Sequence, residues 1–483
     1  MKQTFISGFI LCFFLAVLSF NTSAQEYKYD LNKYYTPDIV RNKLDLNFNT
    51  NGNFENSISN YNLPASKIDS TSNSQLYGNI YSSFQTITNT RKRLTDLRLS
   101  GRLYGSLSSN TDNRDSIHIN NNSASERVEI YTNYSNRLYN SHNQFLQFGG
   151  SVNLYNGASN NNREYNSIQI KTSSSPLLIS TSLTIAVGIG RIESVEDARQ
   201  AIYLLDVLSK KGVLTRHLTD DEIFRLAQQI SSVKNKRFLD SRLHLMDEIA
   251  TVDSFFVNNN LLNKSDAVYF TNLYDIWQNG ANFARNSGQE FTVLFRPTFD
   301  SNNNKNQYNY FNPDSTSWNR SINNSIGGNF AFMYRYEKIS NLNWQHSIQA
   351  DFWAISGFGN TLYSNSNNDL FTPSKSFGST LNLNGRYSIG YYPNTRTNVV
   401  AGISQSFQKA FSKDYVSDIF ESTDWNRSFY SITELSCSAN YYFSPQLRLS
   451  GTASVRKLYS EFLSNNNNNL YTNFNASLIY SFF

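Results

Sequence analysis

Histidine and cysteine supply many catalytic and metal sites, and this chain holds few of either. The five histidines are His118, His142, His217, His244 and His346, and none has a second histidine at a metal-ligand spacing such as His-x3-His. Beyond an apolar N-terminal segment only Cys437 remains, without a second cysteine for a zinc site or a disulfide. No motif marks a serine nucleophile. We therefore expect no enzyme, no metal and no cofactor.

Charged side chains recur at alternate positions of segments that are otherwise apolar. In 93–108, leucine and glycine fall on one side of an extended chain, while Asp96, Arg98 and Arg102 fall on the other. The segment 446–459 repeats the pattern. Strands of a transmembrane β-barrel alternate in this way between lipid and lumen. The candidate lumen-lining residues are Asp96, Arg98, Arg102, Glu129, Arg335, Asp351, Arg386, Glu434, Arg448 and Arg456.

The charges on this predicted inner face nearly balance. Adding Asp45, Arg296 and Glu337 gives seven basic and six acidic side chains. A strongly selective ion pore concentrates one sign of charge along its constriction. Two interpretations stay open: an aqueous passage for small polar solutes, and a network of cross-strand ion pairs that braces the interior.

The composition agrees with strands that are apolar on one side only. Aromatic residues make up 15% of the 483 residues, with 31 Tyr and 35 Phe, yet the mean hydropathy is −0.48. After the N-terminal segment, no stretch approaches the roughly 18 uninterrupted apolar residues of a spanning helix. The net charge of +5 is spread without a basic block, which does not indicate nucleic acid. A soluble, secreted all-β protein is the alternative class.

Residues 1–24 have the pattern of a secretory signal peptide. Lys2 gives a positive start, an apolar run extends from Phe5 to Phe20, and small residues precede Gln25. A single-pass membrane anchor is the alternative, and the shortness of the apolar run disfavours it. We expect the mature, exported chain to begin at Gln25.

Alternation and turn residues predict about fourteen strands, within a range of about twelve to sixteen. About six lie in 25–190 and about eight in 290–483. Segment 166–173 is treated as an extension of the sixth strand, although Pro176 favours a break. Long Asn/Ser-rich loops are expected at 51–73, 109–126, 156–176, 299–324, 357–376, 409–427 and 460–469. Because long loops of bacterial barrels are extracellular and short turns periplasmic, the count predicts that both termini are periplasmic.

The C-terminal segment resembles a known class. Phe474, Ala476, Leu478 and Tyr480 alternate along a last strand that closes on Phe483. Such an ending resembles the C-terminal signal of bacterial outer-membrane β-barrel proteins, and the Asn-rich loops are similar to those of porin-like members of Bacteroidota type. The resemblance identifies no family within the class. It implies an outer-membrane location, contact with outer-membrane lipid, and recognition of the last strand by the barrel-insertion machinery.

Residues 191–289 differ from both flanks because they are charged and helical in pattern. Ser194 and Thr219 each lie three residues before a carboxylate, as in a capping box. Apolar residues at a spacing of three to four then predict four amphipathic helices, the third over about 236–256 and the fourth over about 266–285. The strand count predicts a periplasmic position for this inserted helical domain.

The polar side of the inserted domain supplies candidates for a docking surface: Arg191, Glu193, Arg199, Lys210, Lys211, Arg216 and Arg225. The plain interpretation is a solvated face, and the functional one is a surface for a periplasmic protein or peptidoglycan. We predict a porin-like passage for small polar solutes, with a helical domain that gates the pore or docks a partner. The alternative is a non-conducting scaffold subunit of an outer-membrane complex, which would use the helical domain as its interaction module.

Overall fold

The computed structural model describes most of the chain and gives one sheet with inserted helices. The described residues are 29–61, 67–114, 117–165, 168–236, 244–280, 282–311, 314–366, 368–416, 420–421, 426–444, 446–462 and 465–480. The predicted signal peptide and the terminal residues Phe482 and Phe483 lie outside them. Within the described ranges, no helix combines the length and the apolar character that crossing a membrane requires.

Fourteen long strands and one strand of two residues make up the sheet. The strands are β1 Ile39–Tyr61, β2 Lys67–Asn89, β3 Arg93–Arg114, β4 Ile117–Tyr139, β5 Gln144–Tyr165, β6 Ile168–Ser194, β7 Asn286–Phe311, β8 Asp314–Ile339, β9 Trp344–Asn365, β10 Asn368–Tyr391, β11 Thr397–Val416, β12 Phe420–Glu421, β13 Asn426–Tyr442, β14 Leu447–Phe462 and β15 Asn465–Tyr480. The helices are α1 Glu196–Lys210, α2 Asp220–Asn235, α3 Leu245–Asn258 and α4 Ala267–Asn279, with a short 3-10 helix at Leu31–Lys33.

Every long strand pairs antiparallel with the next one along the chain. The prediction of about fourteen antiparallel strands, interrupted by helices between the sixth and seventh, is confirmed. Short turns follow β2, β4, β8, β10 and β13, and the helices follow β6, so all of these connections lie at one end of the sheet. We call it the short-turn end. An even number of long strands makes the first and the last run in opposite directions.

The predicted long loops are wrong, because the strands continue through most of them. Pairing of β1 with β2 extends from Ile39 opposite Asn89 to Tyr61 opposite Lys67. Each of these strands has 23 residues, whereas about 9–11 suffice to span a membrane. Asn and Ser do not prevent a ladder whose hydrogen bonds come from the backbone. In solvent, moreover, neither face of such an extension needs apolar residues.

The sixth strand extends without a break through its proline. β6 covers both 168–173 and the membrane-type alternation that follows, so the extension is confirmed and the break at Pro176 is wrong. Pro176 pairs with Asn304 of β7, while the ladder to β5 lapses between Leu177 and Ser174. A residue without an N–H is tolerated where one neighbouring ladder is locally absent.

The register gives the sheet two chemically different faces. On one face, large apolar side chains are exposed, including Leu183 at 66% and Leu478 at 65%. The opposite face carries Ser, Asn, Gly, Tyr and charged residues, among them Ser182 and Asn384. We call these the outer and the inner face. Soluble proteins rarely expose so many large apolar side chains in one continuous surface, and contact with lipid removes the penalty.

The sheet curls strongly about its strands. Flat, fourteen strands would be about 60 Å wide, whereas a domain of about 95 residues is roughly 30 Å across. Yet this single domain contacts the sheet near β1 and also at β13, which lie far apart across the width of the sheet. Phe224 of α2 packs 4.8 Å from the ring of Tyr35, just before β1, and Phe283 packs 5.7 Å from Tyr442 of β13. The edge strand β1 and β13, which is two strands from the other edge, therefore come round to the same small domain.

The helical domain has a core of its own, which the N-terminal segment completes. Leu205, Leu226 and Leu273, from three helices, are fully buried in it. Leu31 and Tyr34 belong to the same core although they precede the first strand. No sequence pattern indicates this contribution, because the two residues lie far from the helices along the chain.

The helix ends agree with the sequence in one case and differ in three. Thr219 and Glu222 form the predicted capping box at α2. Ser194 caps nothing, because it is the last residue of β6, and α1 begins after Val195 without a side-chain cap. The described part of the third helix, α3, begins at Leu245 rather than near residue 236, and residues 237–243 lie outside the described ranges. α4 ends at Asn279 rather than near residue 285.

Candidate functional site

The helical domain is fastened to the short-turn end by a buried arginine. Arg285, between α4 and β7, is fully buried and donates hydrogen bonds to the Gln345 side chain at 3.0 Å and to the Trp344 carbonyl at 2.9 Å. Its guanidinium also donates to the carbonyls of Leu342 and Asn341 in the turn after β8. The side chain thus satisfies four acceptors of the sheet end at once, and this holds the exit of the helical domain against that turn.

A second buried arginine lies close by without a counter-charge. Arg199 of α1 is fully buried, and its Nη2 donates to the Gly280 carbonyl at 3.1 Å. Its Nε and Nη1 have no hydrogen-bond partner among the described residues. Burial lowers the pKa of Arg199, and burial together with Arg199 lowers the pKa of Arg285 to about 10. Both groups stay charged at neutral pH, so the docked position of the domain carries a desolvation cost.

Two tyrosines complete this contact between the domain and the sheet. The Tyr203 hydroxyl of α1 donates to the Tyr392 carbonyl, in the turn after β10, at 3.4 Å. Arg285 lies 4.7 Å above the ring of Tyr392, a cation–π contact. Burial raises the pKa of both tyrosines, which keeps them neutral. Asp275 of α4 also pairs with Arg396 beside the same turn.

The prediction of a solvated docking surface is wrong for three of its residues, Arg199, Arg191 and Glu193. Arg199 is the buried group described above. Arg191 lies in β6, where its guanidinium donates to the Thr90 carbonyl at 2.9 Å and pairs with Glu193 at 3.0 Å. Glu193 also pairs with Arg91 at 2.9 Å. Because β6 extends to Ser194, both positions belong to the sheet end, and their charges join β6 to the turn after β2.

The other predicted docking residues lie at the domain surface. Lys210 pairs with Asp206 at 2.6 Å, and Arg216 pairs with Glu222 at 2.7 Å. The remaining two of this group, Lys211 and Arg225, are exposed. Nothing brings the four together into a single basic patch, so their role in docking stays a prediction.

All ten candidate lumen residues fall on the inner face in the strand register. Some of them meet. Arg102 lies opposite Glu129, with 3.7 Å between their charged atoms, and Glu434 lies opposite Arg456. Asp351 instead accepts a hydrogen bond from Asn384 at 2.7 Å. The set is therefore distributed round the sheet rather than gathered at one point.

One ion pair across the inner face was missed by the sequence reasoning. Arg137 of β4 pairs with Glu290 of β7 at 2.7 Å, although two strands separate them in the sheet. Both side chains are largely buried. Arg137 has the inner-face parity of Glu129, so alternation along β4 could have identified it. Glu290 was harder to find, because it stood at the expected border of the helical insertion.

The side chains that commonly ligate metals are not clustered among the described residues. No group of three or more His, Cys, Asp or Glu side chains there could hold a metal ion. His346 lies on the outer face, where its Nδ1 is 2.8 Å from the Tyr387 hydroxyl. This pair belongs to a group of aromatic residues near the short-turn end that includes Trp344 and Tyr391.

No protein-family model and no curated protein matches this sequence. Similar solved structures include the translocator domain of autotransporter NalP from Neisseria meningitidis, with TM-score 0.23 and 9% identity over 82% of this chain and 90% of that chain. They also include the ferric yersiniabactin uptake receptor FyuA from Yersinia pestis, with TM-score 0.29 and 8% identity over 93% and 80%. A third is OccK5 from Pseudomonas aeruginosa, with TM-score 0.16 and 7% identity over 92% and 99%. These scores are too low to support conclusions about this chain, and no family within the predicted class is identified.

Proposed function

We propose that the chain is an outer-membrane β-barrel whose interior passes small polar solutes, with the helical domain as a gate at the periplasmic mouth. The water-accessible inner face is the observation that carries the proposal. The side chains of Arg102, Arg127 and Glu129 remain 48%, 43% and 29% exposed although they point inward. An interior packed solid by side chains would bury them. Pairing of β1 with β15, which their opposite directions permit, would close the barrel in the membrane.

The contacts of the helical domain support a gating role. The domain touches the sheet end near β1, after β8, after β10 and at β13, so it extends across the opening that these strands surround. Its attachment combines strong hydrogen bonds from Arg285 with the unpaired buried charge of Arg199. Undocking would hydrate Arg199. The docked and undocked positions can therefore lie close enough in free energy to interconvert.

Removal of the domain tests the passage and the gate separately. The variant replaces 196–284 with a short Gly/Ser linker, which keeps β6 to Ser194 and β7 from Asn286. In planar bilayers we expect small, intermittent conductance from the intact chain and larger, steady conductance from the variant. Equal conductance would exclude the gate, and absence of conductance in both folded proteins would exclude the passage. A control with the same linker inserted after Gly212, in a turn at the domain surface, keeps the domain in place.

A non-conducting scaffold is the second candidate, and the apolar surface of α4 favours it. Val268, Phe270 and Tyr274 of α4 are 45%, 44% and 50% exposed. Leu273 and Ile276 occupy the buried side instead. A stoichiometric periplasmic protein that copurifies in mild detergent, and is lost from a Phe270→Ser, Tyr274→Ser variant, would support the scaffold. If the same protein still copurifies with the substituted variant, this result would count against the scaffold role of α4.

A further inference from the structure

Four cations form a group on the outer face, at the end of the sheet away from the helical domain. Lys375 of β10, Lys409 and Lys413 of β11, and Arg427 of β13 all have outer-face parity in the register. We call them the basic patch. Lys413 lies opposite Phe377, Lys409 opposite Phe429, and Phe411 opposite Arg427. Successive members are therefore diagonal neighbours, about 7–8 Å apart.

The patch begins where the apolar outer surface ends. Lys409 is twelve residues beyond Thr397, the start of β11, which puts it about 40 Å along the strand and, at a tilt of about 40°, about 30 Å along the barrel axis. The apolar band of a membrane barrel is about 25 Å tall. Phenylalanines alternate with the cations here, and Lys409 lies 5.4 Å from the ring of Phe411. Aromatic rings beside lysine at this height are suited to the boundary between acyl chains and headgroups.

Charge is distributed unequally round the outer face. In the halves of β1 to β5 away from the short-turn end, the described residues of outer-face parity include no Lys or Arg. Near the basic patch, the acids of outer-face parity in the described register are Glu461 of β14, opposite Phe429, and Glu421 of β12, opposite Tyr415. Among the described residues, Lys375, Lys409 and Arg427 form no ion pair, and all three are exposed. Diagonal like charges on a sheet repel each other, so an anion on this surface would relieve the repulsion.

We propose that the basic patch binds the phosphate groups of an anionic glycolipid in the outer leaflet. The inference rests on the outer-membrane location in the proposed function. Charge complementarity selects a phosphate-bearing headgroup, and the interleaved phenylalanines select one that carries acyl chains. The described outer-face positions in the far halves of β1 to β5 hold no such patch, so the lipid would contact the barrel away from these five strands.

Lipid retention in detergent provides the test. Intact protein is incubated with diphosphorylated lipid A, with its phosphate-free analogue or with inorganic phosphate, and the bound probe is counted by native mass spectrometry. Because each cation near an anionic surface changes binding by a factor of about five, we expect the K375Q/K409Q/K413Q/R427Q variant to retain at least about tenfold less diphosphorylated lipid. The phosphate-free analogue should bind weakly to both proteins.

A matched control removes the same charge from the other face. The R98Q/R102Q/R386Q/R456Q variant loses four inner-face cations and should retain diphosphorylated lipid like the wild type. Equal retention by the two quadruple variants, or equal binding of the phosphate-free analogue, would overturn the proposal. So would inorganic phosphate that binds as tightly as the lipid.

Two further measurements keep the outcome interpretable. If the outer variant fails to fold, as judged by heat-modifiable migration in gels, K375Q/K413Q provides a milder test with about a threefold or larger loss. Conductance of the same preparations separates the two proposals. Conducting protein without phosphate preference overturns the lipid site alone, whereas selective lipid retention without conductance overturns the passage alone.

Discussion

Substitution of Arg285 by methionine should release the helical domain from the sheet end. Methionine keeps the length and the apolar stem of the side chain but cannot donate a hydrogen bond. Four acceptors then lose their donor: the Gln345 side chain and the carbonyls of Asn341, Leu342 and Trp344. Arg199 stays buried, and the loss of the neighbouring positive charge removes the repulsion between the two guanidinium groups.

The magnitude follows from what the guanidinium satisfies. Leaving one buried acceptor without its donor costs about 1–3 kcal/mol, and four acceptors lose their donor here. Arg285 itself pays a desolvation cost in the docked position, since burial lowers its pKa to about 10. We therefore take a value below the sum over the four acceptors, about 3 kcal/mol, which raises the undocked fraction roughly 100-fold.

Hydrogen exchange measured by mass spectrometry reports this fraction in detergent-solubilised protein. The informative peptides cover 338–346 and 196–210, on the two sides of the contact. Their protection should fall roughly 100-fold, while that of central strands stays unchanged. Arg216→Met is the control, because the exposed Arg216–Glu222 pair contributes at most about 1 kcal/mol and leaves the contact untouched.

Two results would refute the reasoning. Exchange within threefold of the wild type in both peptides would mean that Arg285 does not hold the domain. Loss of protection throughout β7 to β11 would mean that Arg285 supports the whole sheet rather than a separable contact.

Three further predictions concern the bundle and the inner face. Thr219→Ala removes the capping box of α2 and should cost about 1 kcal/mol. Hydrogen bonding from Arg216 lowers the pKa of Glu222 to about 2. The stabilisation that the ionised Glu222 contributes should therefore be present above pH 4.5 and fade from there towards pH 2, as thermal melts followed by circular dichroism would reveal. Leu205→Ala, at a fully buried position, should cost about 2–5 kcal/mol and raise exchange in the helices but not in the strands. Glu129→Gln leaves the charge of Arg102 unopposed and should move the reversal potential in a KCl gradient towards that of chloride, and an unchanged potential would contradict a lumen-lining position.

The class of fold could be predicted because its signal repeats along the chain. Alternation in segments such as 93–108 and 446–459 recurs often enough to predict the strand number, because each alternating segment adds evidence for the same class of fold. Strand length could not be predicted in the same way. Beyond the membrane the alternation stops, yet the ladder from Ile39 to Tyr61 continues, because backbone hydrogen bonds do not depend on side-chain type.

The contacts of the helical domain were beyond sequence reasoning for a different reason. Arg199 looked like a solvated residue because arginine on a helix is usually exposed. Its burial depends on Gly280 and Tyr392, which tertiary packing brings beside it. Helix periodicity alone also does not show that Phe270 is exposed, because the buried side of α4 is determined by where the other helices lie. Only the cap at Thr219 is a local feature, and it was predicted correctly.

The N-terminal segment makes the order of assembly part of the structure. The Asn32 side chain accepts hydrogen bonds from the Ser287 hydroxyl, 255 positions away, and from the Ile339 N–H, 307 positions away. Contacts over such separations close large loops, so they form only after the intervening segments are in place. When a chain has been synthesised only as far as β7, Ile339 at the end of β8 is not yet available to Asn32. The contacts of Asn32 that join the N-terminal segment to β7 and β8 can therefore form only late in folding.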